Sequence, residues 1–428
     1  MSEQQIHEET IFTWGAPPLK FGAGAVDEIG FDLSQYDVGR VLIITDAGVA
    51  ATGIADRVQE CLTRYDIKSE IYAESHVEPT DESFERAIAY AKENGPFDGF
   101  VALGGGSSID TAKAVNLLTT YPGELMDYVN KPIGRAQTPP GPLKPLIAIP
   151  TTAGTGAEST AVCIMDILSM KVKSGLSHWR LRPTMAVIDP LVTLDLPPMV
   201  SAASGMDILC HAAESYTAKP YTQGPRKKPE ERVTYCGANP VSDLWSERAM
   251  QLLASSFKTA VHHGDDVNAR NEMMMAATFA GMGFGNAGVH IPHANAYPIA
   301  GMVRDYTPPD YPQDEPMVPH GMAVSLTAPE AFRFSFEAAP ERHLRVAELL
   351  NPDAPKQQDP AEQLPSVLIE LMADIGIPNG IGAVGYTEDD VADLAAGTMK
   401  QQRLLTTCAR TPTEEDIRGI LSRSISNW

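Results

Sequence analysis

The stretch FVALGGGSSID, residues 100–110, decides the fold of the N-terminal part of this chain. Its first four residues are apolar and predict a buried strand, and the segment from Asp110 to Leu118 predicts a helix. Glycines at such a junction let the backbone approach phosphate oxygens, and the helix N-terminus offers free N–H groups and a favourable dipole. The stretch therefore predicts a pyrophosphate-binding turn on a parallel sheet, although a glycine triplet alone is more often a plain turn.

The same alternation of short apolar runs and helical segments surrounds this stretch. Further strands are predicted at 41–44, 69–72, 146–149 and 185–188, and a helix with one apolar face at 80–94. After Leu196 the β-branched runs end, and helices are predicted at about 241–263, 268–284, 338–350, 361–375, 387–402 and 413–426. We therefore expect an α/β, Rossmann-like nucleotide-binding domain at 1–196 and an all-α domain at 197–428.

A second turn and one carboxylate complete the predicted nucleotide site. Residues 150–156 follow a predicted strand and supply the hydroxyls of Thr151, Thr152 and Thr155. Asp46 follows the strand that begins at residue 41, where a carboxylate could accept a ribose hydroxyl and would repel a 2′-phosphate. The pattern favours NAD over NADP, and the alternative is that Asp46 only caps a helix.

Four side chains of the C-terminal half, Asp207, His211, His293 and His320, form a candidate metal-binding set. Asp207 and His211 have i, i+4 spacing, so they lie on one face of a helix, one turn apart. Three imidazoles and one carboxylate suit Fe, Zn, Ni or Cu better than Mg or Ca. An isolated Asp-x-x-x-His is common without a metal. However, residues 273–303 contain polar side chains but no Asp, Glu, Lys or Arg, and such buried groups require partners.

Composition excludes several classes of partner. The formal net charge of the 428-residue chain is −22, which disfavours nucleic acid or an anionic membrane. The uncharged stretch 273–303 contains too many glycines, asparagines and prolines for a membrane helix. The acidic, polar N-terminus is unlike a signal or transit peptide, and five dispersed cysteines form no CxxC, so we expect a cytoplasmic protein with reduced thiols.

Several longer motifs resemble the iron-containing alcohol dehydrogenase family, and within it most closely the hydroxyacid-oxoacid transhydrogenase branch. These motifs are Gly104–Ser107, Lys144–Thr152, Leu209–Thr217, Gly283–His290, Val318–Gly321 and Pro340–Leu344. The resemblance implies that Fe(II) is the metal, and the order of metal affinities allows Zn as a substitute. The residues to which it assigns roles are the metal ligands Asp207, His211, His293 and His320, and the cofactor-binding Asp46, Gly105, Gly106, Ser107, Thr151, Thr152, Thr155 and Lys173.

One position departs from the common pattern of that family. Many of its alcohol dehydrogenases have a further histidine four residues after the third metal ligand, whereas this chain has Tyr297. The transhydrogenase branch is similar to this chain at that position. The resemblance therefore does not identify the proton-relay residue, and the candidate catalytic residues are His290 and Tyr297.

The resemblance implies a hydride transfer between a hydroxy acid such as 4-hydroxybutyrate and an oxo acid such as 2-oxoglutarate through bound NAD. Such carboxylate substrates require cations in an acidic protein, and we consider Arg180, Lys219 and Arg304. The alternatives are an NAD-dependent iron-type dehydrogenase of small alcohols that releases NADH, and a metal hydrolase or lyase similar to dehydroquinate synthase. Family members are often dimers or larger, so we expect a homo-oligomer.

Overall fold

The computed structural model describes residues 8–170, 172–311, 313 and 315–428. The described residues form two compact units. We call Ala16–Asp195 the sheet unit, and Leu196–Trp428 together with the described part of Met1–Gly15 the helical unit. The described start of the chain, which the sequence analysis assigned to the first domain, thus belongs with the helical unit.

The sheet unit is built on a six-stranded parallel sheet with the order β1-β8-β5-β4-β2-β3. The predicted parallel sheet is confirmed. Neighbouring residues of a strand lie in two separate cores: Leu42 and Phe100 pack on one face of the sheet, and Val41 and Val101 on the other. Both faces are covered, which is why the central strands, 99–104 and 146–150, are apolar throughout rather than alternating. The strands of the unit are β1 (Leu19–Phe21), β2 (Arg40–Ile44), β3 (Lys68–Tyr72), β4 (Gly99–Gly104), β5 (Leu146–Pro150), β6 (Val162–Ile167), β7 (Val172–Ser177) and β8 (Met185–Ile188).

Three of these strands were not predicted. β1 contains only three residues and pairs with β8 at the edge of the sheet, so it has no periodic pattern to detect. β6 and β7 form a separate antiparallel hairpin outside the main sheet. Since a two-stranded ribbon depends on packing against its neighbours, propensity alone does not identify it.

The helices of the sheet unit cover the sheet. The predicted helix at 80–94 is α4, which begins after Thr80 with a reciprocal Thr80–Ser83 capping box. α5 begins directly after the glycine turn and packs against β4 and β5. The α-helices of this unit are α1 (Ile29–Ser34), α2 (Ala47–Ala51), α3 (Ile54–Thr63), α4 (Asp81–Asn94), α5 (Gly106–Thr120) and α6 (Leu125–Tyr128).

The helical unit is organised around α7, which packs against α8, α9 and α11. α7 is buried on nearly all sides, as expected for a helix in the centre of a helical bundle. Among the described residues, no helix is both long and apolar enough to cross a membrane. The α-helices of this unit are α7 (Pro198–Thr217), α8 (Pro240–His262), α9 (Val267–Ala287), α10 (Ile291–Gly301), α11 (His320–Leu326), α12 (Ala328–Ser335), α13 (Pro340–Leu350), α14 (Gln363–Asp374), α15 (Val391–Met399), α16 (Gln402–Leu405) and α17 (Glu414–Arg423).

Candidate metal centre and nucleotide turns

Asp207 and His211 lie in the buried middle of α7. Their spacing places them on one face of the helix, and the distance from His211 Nε2 to Asp207 Oδ1 is 3.7 Å. The His211 ring stacks on Phe284 of α9, with 3.8 Å between the ring centroids and an angle of 6° between their planes. The stacking fixes the orientation of the imidazole.

α10 and α11 bring the other two histidines to the same carboxylate. His293 lies in the first turn of α10, and His320 is the first residue of α11. Gly321 allows α11 to approach α7 closely, because a Cβ at this position would collide with the backbone carbonyl of Ala203. The tight helix contact thus explains the glycine that follows His320.

The four predicted ligands converge on one oxygen atom. His293 Nε2 lies 3.5 Å and His320 Nε2 lies 3.9 Å from Asp207 Oδ1, the same oxygen that faces His211. One ligand atom each from Asp207, His293 and His320 lie within 4.8 Å of one another. The His211 ring centroid is 4.5 Å from that of His293. Asp207, His293 and His320 therefore surround one point, and His211 lies beside them on the same helix as Asp207.

The pairing of the buried atoms fits a cation at this point. His293 Nδ1 lies 2.6 Å from Glu214 Oε1, so Nδ1 carries a proton, and Nε2 is the nitrogen available to a metal. His293 Nε2 faces Asp207 Oδ1, and this oxygen can only accept hydrogen bonds when the carboxylate is ionised. Neither atom has a hydrogen-bond partner within the part of the chain that the structure describes, although both are buried. Without a metal, a proton on Nε2 compensates the Asp207 carboxylate, and a metal cation at the same place would displace this proton.

The electrostatics of the pocket also favour positive charge. Burial opposes the charge of Asp207, but the imidazoles of His211, His320 and His293 together hold the pKa of its carboxyl well below the usual value. Burial likewise opposes the charge of His293, but Glu214 and Asp207 raise the pKa of this imidazole to about 9. Burial lowers the pKa of His211 to about 3, which keeps its nitrogens free of a second proton. Carboxylates remain ionised here, as metal ligands must.

Glu214 and Phe284 are functional candidates that the sequence analysis missed. Glu214 lies on α7 three residues after His211, is fully buried and binds His293. The signal was its i+7 spacing from Asp207, which places it on the ligand-bearing face of the helix. Phe284 carried no signal in the sequence, because stacking on an imidazole depends on the tertiary fold.

The two candidate relay residues occupy different environments. His290 is completely buried, and its Nε2 lies 3.1 Å from Thr217 Oγ1. Burial lowers the pKa of His290 to about 4 despite the nearby Glu214 carboxylate. Tyr297 is half-buried on α10, and its ring centroid is 6.3 Å from that of His320, whose side chain is 30% exposed. Tyr297 therefore lies on the side of the cluster that solvent reaches.

In the sheet unit, the two predicted nucleotide turns contact each other at the ends of β4 and β5. Thr151 N donates a hydrogen bond to Gly104 O at 3.1 Å. A Cβ at Gly105 would lie 3.5 Å from Thr152 Oγ1, and one at Gly106 would lie 2.8 Å from Thr155 Oγ1. The first distance is an ordinary contact, whereas the second is too short, so Gly106 is the position that lets the N-terminus of α5, including Ser107, lie this close to the threonine-rich turn.

The remaining cofactor candidates are Asp46 and Lys173. Asp46 lies next to the glycine turn, and Lys173 lies on the hairpin of β6 and β7. Asp46 caps α2 by accepting a hydrogen bond from Val49 N at 2.9 Å, and its other oxygen lies 3.4 Å from Ser108 Oγ. Asp46 is thus both a cap and a neighbour of the glycine turn. Lys173 on β7 is ion-paired with Glu78 and Asp166 at 2.9 and 2.8 Å.

A chain that combines a glycine turn on a parallel sheet with a histidine–carboxylate cluster in a helical bundle has the features of a metal-dependent dehydrogenase. The sequence pattern of the iron-containing alcohol dehydrogenases matches residues 17–190, and that of the C-terminal part of the same family matches residues 230–425. The chain belongs to the iron-containing alcohol dehydrogenase family, and it is an oxidoreductase.

Individual relatives agree with this assignment. The hydroxyacid-oxoacid transhydrogenase of Bos taurus is 42% identical over 97% of this chain and 90% of its own length, and the Homo sapiens protein of the same name is 41% identical with the same coverage. Among solved structures, a 1,3-propanediol oxidoreductase is 29% identical with a TM-score of 0.83, covering 97% of this chain and 100% of its own. An alcohol dehydrogenase from Oenococcus oeni is 26% identical with a TM-score of 0.84 and the same coverage.

These names correct one expectation. The bovine and human relatives are both named mitochondrial, so the expectation of a cytoplasmic protein is wrong by this comparison. That expectation depended on the acidic, polar residues at the N-terminus and on the dispersed cysteines, and neither feature determines the compartment.

Proposed function

We propose that this protein transfers hydride between a hydroxy acid and an oxo acid through NAD, with 4-hydroxybutyrate and 2-oxoglutarate as representative substrates. The observation that carries the proposal is the convergence of three imidazoles on Asp207 Oδ1. The identity of 42% with proteins named hydroxyacid-oxoacid transhydrogenase supports the choice of reaction.

Asp207, His211, His293 and His320 would hold one divalent metal in this reaction. A divalent cation supplies Lewis acidity, which polarises a carbonyl and lowers the pKa of a hydroxyl. Fe(II) fits the family name, and Zn also accepts this set of nitrogen and oxygen ligands. Tyr297 is the preferred proton-relay residue because it is half-buried next to His320, whereas His290 is fully enclosed.

NAD is the proposed coenzyme of the sheet unit. Gly105, Gly106 and Ser107 at the start of α5 would hold the pyrophosphate, and the hydroxyls of the adjoining turn would add hydrogen bonds. Asp46 has one carboxylate oxygen that is not used for capping α2, and this oxygen would accept a ribose hydroxyl. Lys173 would keep its positive charge near the cofactor, since Glu78 and Asp166 raise its pKa despite burial.

Of the three cations considered for the substrate carboxylates, Lys219 fits best. Arg304 is paired with Asp390 at 2.7 Å and also donates to Gly385 O. Arg180 donates to Pro139 O and lies over the ring of Trp179. Among the described residues, no acidic side chain forms an ion pair with the Lys219 ammonium. We therefore propose Lys219 as a carboxylate-binding residue.

Lys219→Ala should raise the KM for 4-hydroxybutyrate and 2-oxoglutarate about tenfold, as expected for the loss of one charge-assisted hydrogen bond. The KM for a neutral alcohol should not change. Arg304→Ala is the matched control, because it removes the same charge from a side chain that is already paired. Equal KM values for acids in the wild type and Lys219→Ala would remove Lys219 from the site.

The proposed function is tested by mixing the purified protein with 4-hydroxybutyrate and 2-oxoglutarate and adding no free coenzyme. Equal amounts of succinic semialdehyde and 2-hydroxyglutarate should form, because bound NAD is reduced by one substrate and reoxidised by the other. A second candidate, an alcohol dehydrogenase that releases NADH, is favoured by the structural similarity to 1,3-propanediol oxidoreductase. It predicts no product without added NAD, and NADH accumulation when NAD is supplied with an alcohol.

A further inference from the structure

We propose that Glu214 is a positioning residue, which holds His293 and the start of α10 in the geometry needed for metal binding. The inference rests on the proposed metal centre. The Glu214 carboxylate would order this centre without touching the metal.

Both carboxylate oxygens of Glu214 are engaged by the segment that carries His293. Oε1 lies 2.6 Å from His293 Nδ1, and Oε2 accepts a hydrogen bond from the backbone N–H of His290, also at 2.6 Å. The Glu214 side chain is completely buried. A buried carboxylate is costly unless it is fully paired, and Glu214 is paired entirely with α10 and the residue before it.

The contact with Nδ1 determines which nitrogen of His293 can bind a metal. Ionised Glu214 only accepts hydrogen bonds, so it keeps a proton on Nδ1 and leaves Nε2 as the nitrogen that can bind a metal. Nε2 is the nitrogen that faces Asp207 Oδ1 at 3.5 Å. A carboxylate behind a histidine ligand fixes the tautomer and increases the basicity of the ligand.

The contact with His290 N determines where α10 begins. The preceding connection is irregular, since Gly288 has a φ of 97° and His290 has φ −138° and ψ −121°. α10 has no side-chain N-cap from its own N-cap residue, His290. Glu214 therefore provides the negative charge at the N-terminus of α10, where the helix dipole favours it, and thereby fixes the position of His293 in the first turn.

Glu214 is not placed to be a metal ligand itself. The His293 ring lies between its carboxylate and Asp207, because Glu214 contacts Nδ1 while Asp207 faces Nε2. Its effect on the metal must therefore be transmitted through the orientation and proton of His293.

The test compares Glu214→Gln with the wild type by titrating metal-free protein with Zn²⁺ or Co²⁺. A glutamine cannot accept from both N–H groups, so one contact is lost or the His293 proton moves to Nε2. The metal affinity should fall about 10- to 100-fold, the range found for such outer partners. Histidine ¹⁵N spectra of the metal-free protein, recorded at a pH above the pKa of His293 so that its ring is neutral, should show this ring protonated on Nδ1 in the wild type and a changed tautomer in the variant.

Glu247→Gln is the matched control, because Glu247 also contacts α7, through the Tyr216 hydroxyl, but not His293. It should bind metal like the wild type. If Glu214→Gln fails to fold, Glu214→Asp is the second variant. It keeps the negative charge, but its shorter side chain cannot make both contacts. Wild-type affinity and an unchanged His293 tautomer in a folded Glu214 variant would overturn this inference alone. Failure of the wild type to bind metal would instead overturn the proposed function.

Discussion

Two polar clusters, one in each unit, each contain an aspartate but differ in how their atoms are paired. In the sheet unit, the Lys113 ammonium is completely buried and contacts Asp110 Oδ1, Ala157 O, Thr160 Oγ1 and Val162 O at 2.6–3.3 Å. In the helical unit, Asp207 Oδ1 and His293 Nε2 are buried and face each other without a hydrogen bond. We call these the Lys113 cluster and the Asp207 cluster.

The difference separates a structural network from a ligand site. The Lys113 cluster contains its own cation, the Lys113 ammonium, which a carboxylate and backbone carbonyls surround. It therefore requires no bound ion. In the Asp207 cluster, Asp207 Oδ1 and His293 Nε2 have no hydrogen-bond partner among the described residues, and the surrounding imidazoles keep the carboxylate ionised. Buried histidines and acids in a sequence do not reveal this difference, whereas the pairing of individual atoms does.

The largest effect is expected from removal of a proposed metal ligand. Asp207→Ala or His293→Ala should lose bound metal, and turnover should fall by a factor on the order of 10³ or more, since a Lewis acid contributes several kcal/mol. Metal analysis and a turnover assay measure both losses. NAD binding to the sheet unit, followed by fluorescence, should persist. Full metal content in either variant would break the distinction between the two clusters.

Lys113→Met should instead affect stability. It removes the central cation of the network and leaves the half-buried Asp110 without its ion-pair partner, beside unsatisfied carbonyls, which costs about 3–5 kcal/mol. Urea unfolding should show the loss as an earlier transition. The metal content of the folded fraction should remain that of the wild type, and a loss of metal would show that the clusters are not independent.

Glu158, beside the Lys113 cluster, makes the stability of the sheet unit depend on pH. Burial raises its pKa from 4.5 to about 7, so the folded protein binds this proton more tightly than the unfolded chain does. Stability is therefore lost as pH rises through this range, by about 3 kcal/mol in total. Glu158→Gln should remove this dependence and unfold later than the wild type at pH 8, but not at pH 4. Parallel pH dependence of the two proteins in urea unfolding would contradict the assignment.

The smallest effect is expected at Phe284, which stacks on His211 without contributing a ligand. Phe284→Leu keeps an apolar side chain but loses the stacking, which is worth about 0.5–1.5 kcal/mol. Metal affinity should fall by no more than about tenfold. Competition with a chelator measures this change, and a loss as large as that of a ligand variant would mean that Phe284 does more than orient His211.

Site residues and elements that depend on local spacing could be predicted from the sequence, whereas those that depend on tertiary packing could not. Asp207 and His211 were recognisable by their i, i+4 spacing, and the glycine turn by its position between strand and helix. The role of Glu214 required knowledge of where α10 begins, which is set by the connection after Gly288. The hairpin of β6 and β7 and the short edge strand β1 depend on tertiary partners. Which cations are already paired, as Arg304 is with Asp390, is likewise visible only in the structure.

The most direct test of the central claim is an anomalous diffraction map, recorded at the absorption edge of the bound metal from crystals of the purified protein. The account predicts one strong peak about 2.0–2.2 Å from Asp207 Oδ1 and from the Nε2 atoms of His211, His293 and His320. A map without a peak at this position, with ordered water bonded to Asp207 Oδ1 and His293 Nε2 instead, would contradict it.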